Sequence, residues 1–141
     1  MSLEMIGIAL GIAFTLPTIL LFRRSDIENW AWPFFLGLLP VFYMLFGMLA
    51  LDGRAILLEF LVGIPYFTLG LLLWKKVSRS AVAILGMAWL SHGFYDYFHD
   101  LLFINSGVFA WYPVFCAVVD IIVGLYLLNF AVTMDDVKAT R

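Results

Sequence analysis

Charged residues are scarce in this sequence, and their scarcity argues against a soluble domain. They occupy 13% of the 141 positions, against about 25% in a typical soluble domain, while 65% of the positions are hydrophobic. A soluble chain of this length could not bury so much apolar surface, because small domains leave a large share of their surface in water. We therefore expect much of the apolar surface to face lipid.

Cysteine and clustered basic residues are scarce as well. The one cysteine, Cys116, cannot form a disulfide within the chain, so cysteine usage leaves the redox compartment open. The formal net charge of −2 and the lack of a basic tract argue against nucleic-acid binding. The sequence also has no HExxH motif, no glycine-rich phosphate loop and no serine nucleophile elbow.

Five apolar stretches account for most of the chain. Each is long enough for a membrane span, since about 20 helical residues cross a ~30 Å hydrocarbon core. A helix is favoured there because it satisfies its backbone groups internally in lipid. We therefore predict an all-α integral membrane protein, with residues 1–141 forming one compact bundle of five transmembrane helices. The predicted spans are 5–22, 31–51, 55–74, 81–103 and 108–131.

The basic residues predict how this bundle is oriented. If five helices alternate in direction, all but one of the basic residues fall on the same side, and cytoplasmic loops carry an excess of Lys and Arg. We predict that the N-terminus lies outside and the C-terminus in the cytoplasm, in a plasma membrane or a bacterial inner membrane. The residues on the cytoplasmic side are Arg23, Arg24, Lys75, Lys76, Arg79, Lys138 and Arg141, with Arg54 opposite.

Six ionisable residues lie inside the predicted spans, and none of them is basic apart from two histidines. Such residues are costly in hydrocarbon and usually face a bundle interior or a cavity. Because the spans contain no Lys or Arg, the acids need another cation, which could be protons or a bound metal ion. The six residues are Glu59, His92, Asp96, His99, Asp100 and Asp120.

Their spacing predicts that they meet. In a continuous helix, His92, Asp96, His99 and Asp100 fall within an arc of about 100°. The alternating helix directions place Glu59 at the depth of His99, and Asp120 near the depth of His92. We therefore predict one pocket that opens to the non-cytoplasmic side.

The residue types in this pocket suit a divalent metal such as Zn²⁺ or Fe²⁺. We predict that His92, Asp96, His99 and Asp120 are metal ligands, and that Asp96, Asp100 and Glu59 serve catalysis. The metal could activate water or oxygen against a lipid or isoprenoid that enters from the bilayer. The prediction is thus a small metal-dependent enzyme, or a protein that binds a lipid-like ligand.

Other interpretations fit the same residues. The stripe could relay protons or cations in a transporter or channel component, a common role of Asp, Glu and His chains in membranes. It could also dock onto another membrane protein, with the chain acting as a non-catalytic partner subunit, or form a structural hydrogen-bond network. Gly7 and Gly11 form a small-residue motif, which could pack within the monomer or form a homo-oligomer.

Overall fold

The computed structural model describes residues 2–134, and within these residues it contains helices and no strands. The predicted all-α fold is confirmed for this part of the chain. Lys138 and Arg141, which contributed to the predicted orientation, lie outside the described residues. The helices are α1 (Leu3–Arg24), α2 (Glu28–Leu49), α3 (Gly53–Leu72), α4 (Arg79–Tyr97), α5 (His99–Leu102) and α6 (Tyr112–Thr133).

Four of the helices, α1, α2, α3 and α6, are long and apolar enough to cross a membrane. They correspond to four of the five predicted spans, with ends that differ by a few residues. Side-chain caps help to set two of the starts, because Ser2 accepts a hydrogen bond from the Met5 N–H and Asp52 accepts one from the Ala55 N–H. Helix α6 starts later than predicted, at Tyr112, with Pro113 in its first turn.

The fourth predicted span, 81–103, is not one continuous helix. Helix α4 ends at Tyr97, and Phe98, with φ −99° and ψ 8°, separates it from the four-residue helix α5. The prediction of one continuous helix is therefore wrong. Beyond the interruption the side chain of His99 is buried, whereas that of Asp100 is 75% exposed and leaves the predicted stripe. Helix α4 is more polar than the four apolar helices. That α4 crosses the membrane, and that the N-terminus lies outside, therefore stay predictions.

Helix α4 packs along most of α6, and glycines on both helices permit a close approach. A Cβ atom on Gly124 would lie 2.9 Å from the Gly86 carbonyl oxygen. One turn away on α6 and two turns away on α4, a Cβ on Gly93 would lie 3.0 Å from Cβ of Asp120. The small residues therefore bring Asp120 directly against the polar face of α4.

Helix α1 packs on the other side of α6, and α2 packs along α3. Gly7 and Gly11 face α6 within the same chain, since added Cβ atoms there would lie 2.6 Å from the Trp111 carbonyl oxygen and 2.9 Å from Cβ of Val118. The structure thus uses this small-residue face inside the monomer. A homo-oligomer formed through the Gly7/Gly11 face stays a prediction, and it would require α1 to leave α6.

Candidate functional site

His92 lies between two aspartates at the contact of α4 with α6. Its Nδ1 atom is 2.8 Å from Oδ2 of Asp120 and 3.2 Å from Oδ2 of Asp96, so a proton on Nδ1 can donate to either carboxylate. Asp96 follows His92 by four residues and thus shares its face of α4. Asp120 comes from α6, and its predicted match in depth with His92 is confirmed. We call these three residues the His92 cluster.

The His92 cluster is buried but incompletely satisfied. Its side chains are 0–1% exposed. Five buried side-chain N or O atoms within residues 2–134 lack a hydrogen-bond partner, and three of them belong to this cluster: His92 Nε2, Asp96 Oδ1 and Asp120 Oδ1. Leaving a buried polar atom unpaired costs about 1–3 kcal/mol, so a ligand that pairs with these atoms would stabilise the site.

The same three side chains can offer one ligand atom each to a metal ion. These atoms lie within 4.8 Å of one another. Zn²⁺ binds His nitrogen and carboxylate oxygen at about 2.0–2.2 Å, so a common ion needs only modest movements of the side chains. Two carboxylates and a neutral imidazole carry two negative charges, and one divalent ion balances them.

A second polar group surrounds Glu59 of α3. The Glu59 carboxylate is 2.8 Å from His99 Nε2 through Oε1, and it accepts hydrogen bonds from Tyr95 Oη at 2.7 Å and from Asn105 Nδ2 at 3.0 Å. His99 Nδ1 lies 3.0 Å from Oδ1 of Asp100. The predicted match in depth of Glu59 with His99 is confirmed. We call Glu59, Tyr95, His99, Asp100 and Asn105 the Glu59 network.

The Glu59 network runs from the surface to the interior. The side chain of Asp100 is 75% exposed, whereas those of His99 and Glu59 are 0% and 1% exposed. The Tyr43 ring stacks on the His99 imidazole at a centroid distance of 4.6 Å and fixes its orientation. A continuous series of hydrogen bonds therefore links an exposed carboxylate to a buried one.

The six residues predicted to line one pocket thus form two groups. His92, Asp96 and Asp120 converge, whereas His99 contacts both Glu59 and Asp100. The separation follows from the distance along the chain, because His99 lies seven residues beyond His92, which is about 10 Å along a helix axis. Tyr95 connects the two groups, since its ring centroid is 5.5 Å from that of His92 and 5.6 Å from that of His99.

Two members of the Glu59 network were not predicted. Tyr95 precedes His99 by four residues, and this spacing is visible in the sequence. Asn105 lies in the segment between α5 and α6, and its Nδ2 also donates to the Tyr43 carbonyl oxygen at 3.0 Å. The Asn105-Ser106-Gly107 sequence indicates a turn, but nothing in it points to a contact with a distant helix.

An apolar cavity of about 480 Å³ reaches the His92 cluster from the side. It lies between α1, α2 and α6, because α1 packs against α6 and makes few contacts with α2. Most of its lining is aromatic or aliphatic. Asp120 and Cys116 lie in its wall, whereas Phe14 and Phe42, which are 55% and 39% exposed, lie on its outer side. The volume is within the range of about 300–1,000 Å³ that is usual for ligand pockets.

A second cavity, of about 380 Å³, opens at the end of the bundle where α4 ends. Three acids, one each from α1, α4 and α5, line it: Glu4, Asp96 and Asp100. Asp96 thus belongs to the His92 cluster and also borders this acidic depression. The negative charge there would attract a cation towards the cluster.

Comparison of the chain with protein-family models, with curated proteins and with solved structures finds no match in any of the three.

Tyr95→Phe should destabilise the protein by about 1 kcal/mol, because it removes a hydrogen-bond donor from the buried Glu59 carboxylate. Thermal unfolding in detergent measures the change. Tyr97→Phe is the matched control, since Tyr97 lies on the same helix and is 65% exposed; its unfolding temperature should equal that of the wild type. Equal unfolding temperatures for both variants would contradict the assigned role of Tyr95.

Proposed function

We propose that this chain is an integral membrane protein that binds a divalent metal ion on His92, Asp96 and Asp120 and uses it to modify a lipid-like substrate. The observation that carries the proposal is the convergence of three buried side chains with three unpartnered polar atoms. In this proposal α4 is a fifth transmembrane helix. The N-terminus then lies on the non-cytoplasmic side of a plasma membrane or a bacterial inner membrane.

The donor atoms favour Zn²⁺ or Fe²⁺ over Mg²⁺ or Ca²⁺. Imidazole nitrogen is a common ligand of Zn and Fe, whereas Mg²⁺ and Ca²⁺ bind mainly oxygen. Three protein ligands leave a coordination position for water or substrate, as is usual in catalytic zinc sites. A metal bound there would supply Lewis-acid activation of that ligand.

The surrounding residues suit such a reaction. A carboxylate oxygen that does not bind the metal, Asp96 Oδ1 or Asp120 Oδ1, can accept a proton in the water-poor interior. The acidic depression provides a route for the cation, and the apolar cavity provides a route for a substrate from the bilayer. His99, which was predicted as a ligand, supports the site in this proposal by holding Glu59.

Metal analysis of protein purified without a metal-affinity step tests the proposal. We expect about one Zn or Fe per chain in the wild type, as in other single-metal sites. His92→Gln and Asp120→Asn should reduce the metal to background, because each removes a ligand while it keeps a similar side-chain volume. His99→Gln should retain the metal.

All variants must first elute as single symmetrical peaks in size-exclusion chromatography. Asp26→Asn, at an exposed position with positive φ that Asn also tolerates, is the control for the loss of an acid. A wild-type protein without stoichiometric metal would end the proposal, and so would unchanged metal in both His92→Gln and Asp120→Asn.

The Glu59 network favours a second candidate function, the transfer of protons into the membrane. Asp100, His99, Glu59 and Tyr95 are joined by contacts of 2.7–3.0 Å that lead from an exposed carboxylate to the edge of the His92 cluster. Imidazole and carboxylate groups in such a series can pass protons between neighbours. The path could supply the metal site, or it could be part of a transporter or channel component.

Proton movement in proteoliposomes with an internal pH dye tests this second function. Under an imposed membrane potential, the wild type should acidify or alkalinise the lumen faster than empty liposomes. His99→Gln and Glu59→Gln should abolish the difference, whereas Asp26→Asn should not change it. A wild-type rate equal to that of empty liposomes would exclude proton transport across the membrane.

A further inference from the structure

The apolar cavity follows the helices for several turns. On α2 its wall runs from Trp32 to Phe46 through residues three or four apart, which corresponds to about 21 Å along the helix axis. Its α1 wall likewise runs from Phe14 to Phe22. If α1, α2 and α6 cross the membrane, as proposed above, this length lies along the bilayer normal. The shape suits one extended hydrocarbon chain.

The polar atoms of the cavity are unevenly distributed. The hydroxyl groups of Thr15 and Thr18 donate to the carbonyl oxygens of Gly11 and Phe14, so neither needs a ligand. Asp120, in contrast, is 0% exposed and has an unpartnered Oδ1 atom. Trp89 also lines the cavity, and its buried Nε1–H lacks a partner. The apolar slot therefore offers a ligand one acceptor, on Asp120, and one donor, on Trp89.

We propose that the cavity binds a single-chain lipid alcohol, with its hydrocarbon chain in the slot and its hydroxyl group at Asp120. The inference rests on the proposed function in one respect: it makes this alcohol the substrate class of the metal site to which Asp120 belongs. The chain enters between α1 and α2, where the exposed Phe14 and Phe42 flank the cavity.

Physical arguments favour this occupant over others. Water does not fill an apolar slot, and an empty slot forfeits van der Waals contacts with its walls. Because the lining contains no Lys or Arg and Asp120 is acidic, a phosphate or carboxylate head would be repelled. A hydroxyl group is small, uncharged and able to donate to the free oxygen of Asp120.

Photolabelling in liposomes tests the inference. The probe is a long-chain alcohol that carries an alkyl diazirine in its hydrocarbon chain, and labelled peptides are mapped by mass spectrometry. We expect labels on the cavity walls of α1, α2 and α6. Excess unlabelled alcohol of the same chain length should compete, whereas the matching fatty acid and a phosphatidylcholine should compete poorly.

Val119→Phe fills the slot and should reduce specific labelling about tenfold, since the ring displaces methylene groups of the ligand. Val132→Phe, the same change on the lipid-facing part of α6, is the matched control and should label like the wild type. Val119 is 9% exposed and lines the cavity, whereas Val132 is 68% exposed. If Val119→Phe does not fold, the positions of the labelled residues in the wild-type protein still test the inference.

Two further measurements separate this inference from the metal proposal. Val119→Phe should keep the metal content of the wild type, and His92→Gln should lose the metal but keep the labels in the slot. Labels confined to outward-facing residues would overturn the inference, as would equal competition by phosphatidylcholine. Equal labelling of Val119→Phe and Val132→Phe would overturn it as well.

Discussion

The contact between His92 and the two aspartates is the interaction on which the rest of the site depends. Isolated buried charges cost several kcal/mol each, and this site has two acids and no Lys or Arg beside it. Helix α6 must approach α4 closely for Asp120 to reach His92, and Gly86, Gly93 and Gly124 make that approach possible. The close packing of α4 against α6 is therefore also what allows His92 to contact both buried aspartates.

Three features converge on this contact from different directions. The apolar cavity reaches Asp120 between α1 and α2, and the acidic depression reaches Asp96 from the end of the bundle. The Glu59 network approaches through Tyr95. The apolar cavity is separate from the other two features, which share Asp100: this residue lines the acidic depression and also begins the Glu59 network.

The sequence predicts the helices and part of the site. Run length predicts the four apolar helices, because hydrocarbon thickness sets their length. Alternating helix direction predicts that Asp120 meets His92 and that Glu59 meets His99. The interruption at Phe98 was not predictable from local residues, since no Pro or Gly marks it. Two features depend on how distant segments pack: the contact of Asn105 with Glu59, and the cavity beside α1. The local periodicity of the sequence does not predict such packing.

X-ray absorption spectroscopy of the metal-loaded protein tests the central claim most directly, because it reports the ligands themselves. The proposal predicts a shell of nitrogen and oxygen ligands at about 2.0–2.2 Å that contains one imidazole and no sulfur. Two imidazoles would show that His99 also binds the metal, and a sulfur ligand would point to Cys116. Either result would contradict a metal held by His92, Asp96 and Asp120 alone.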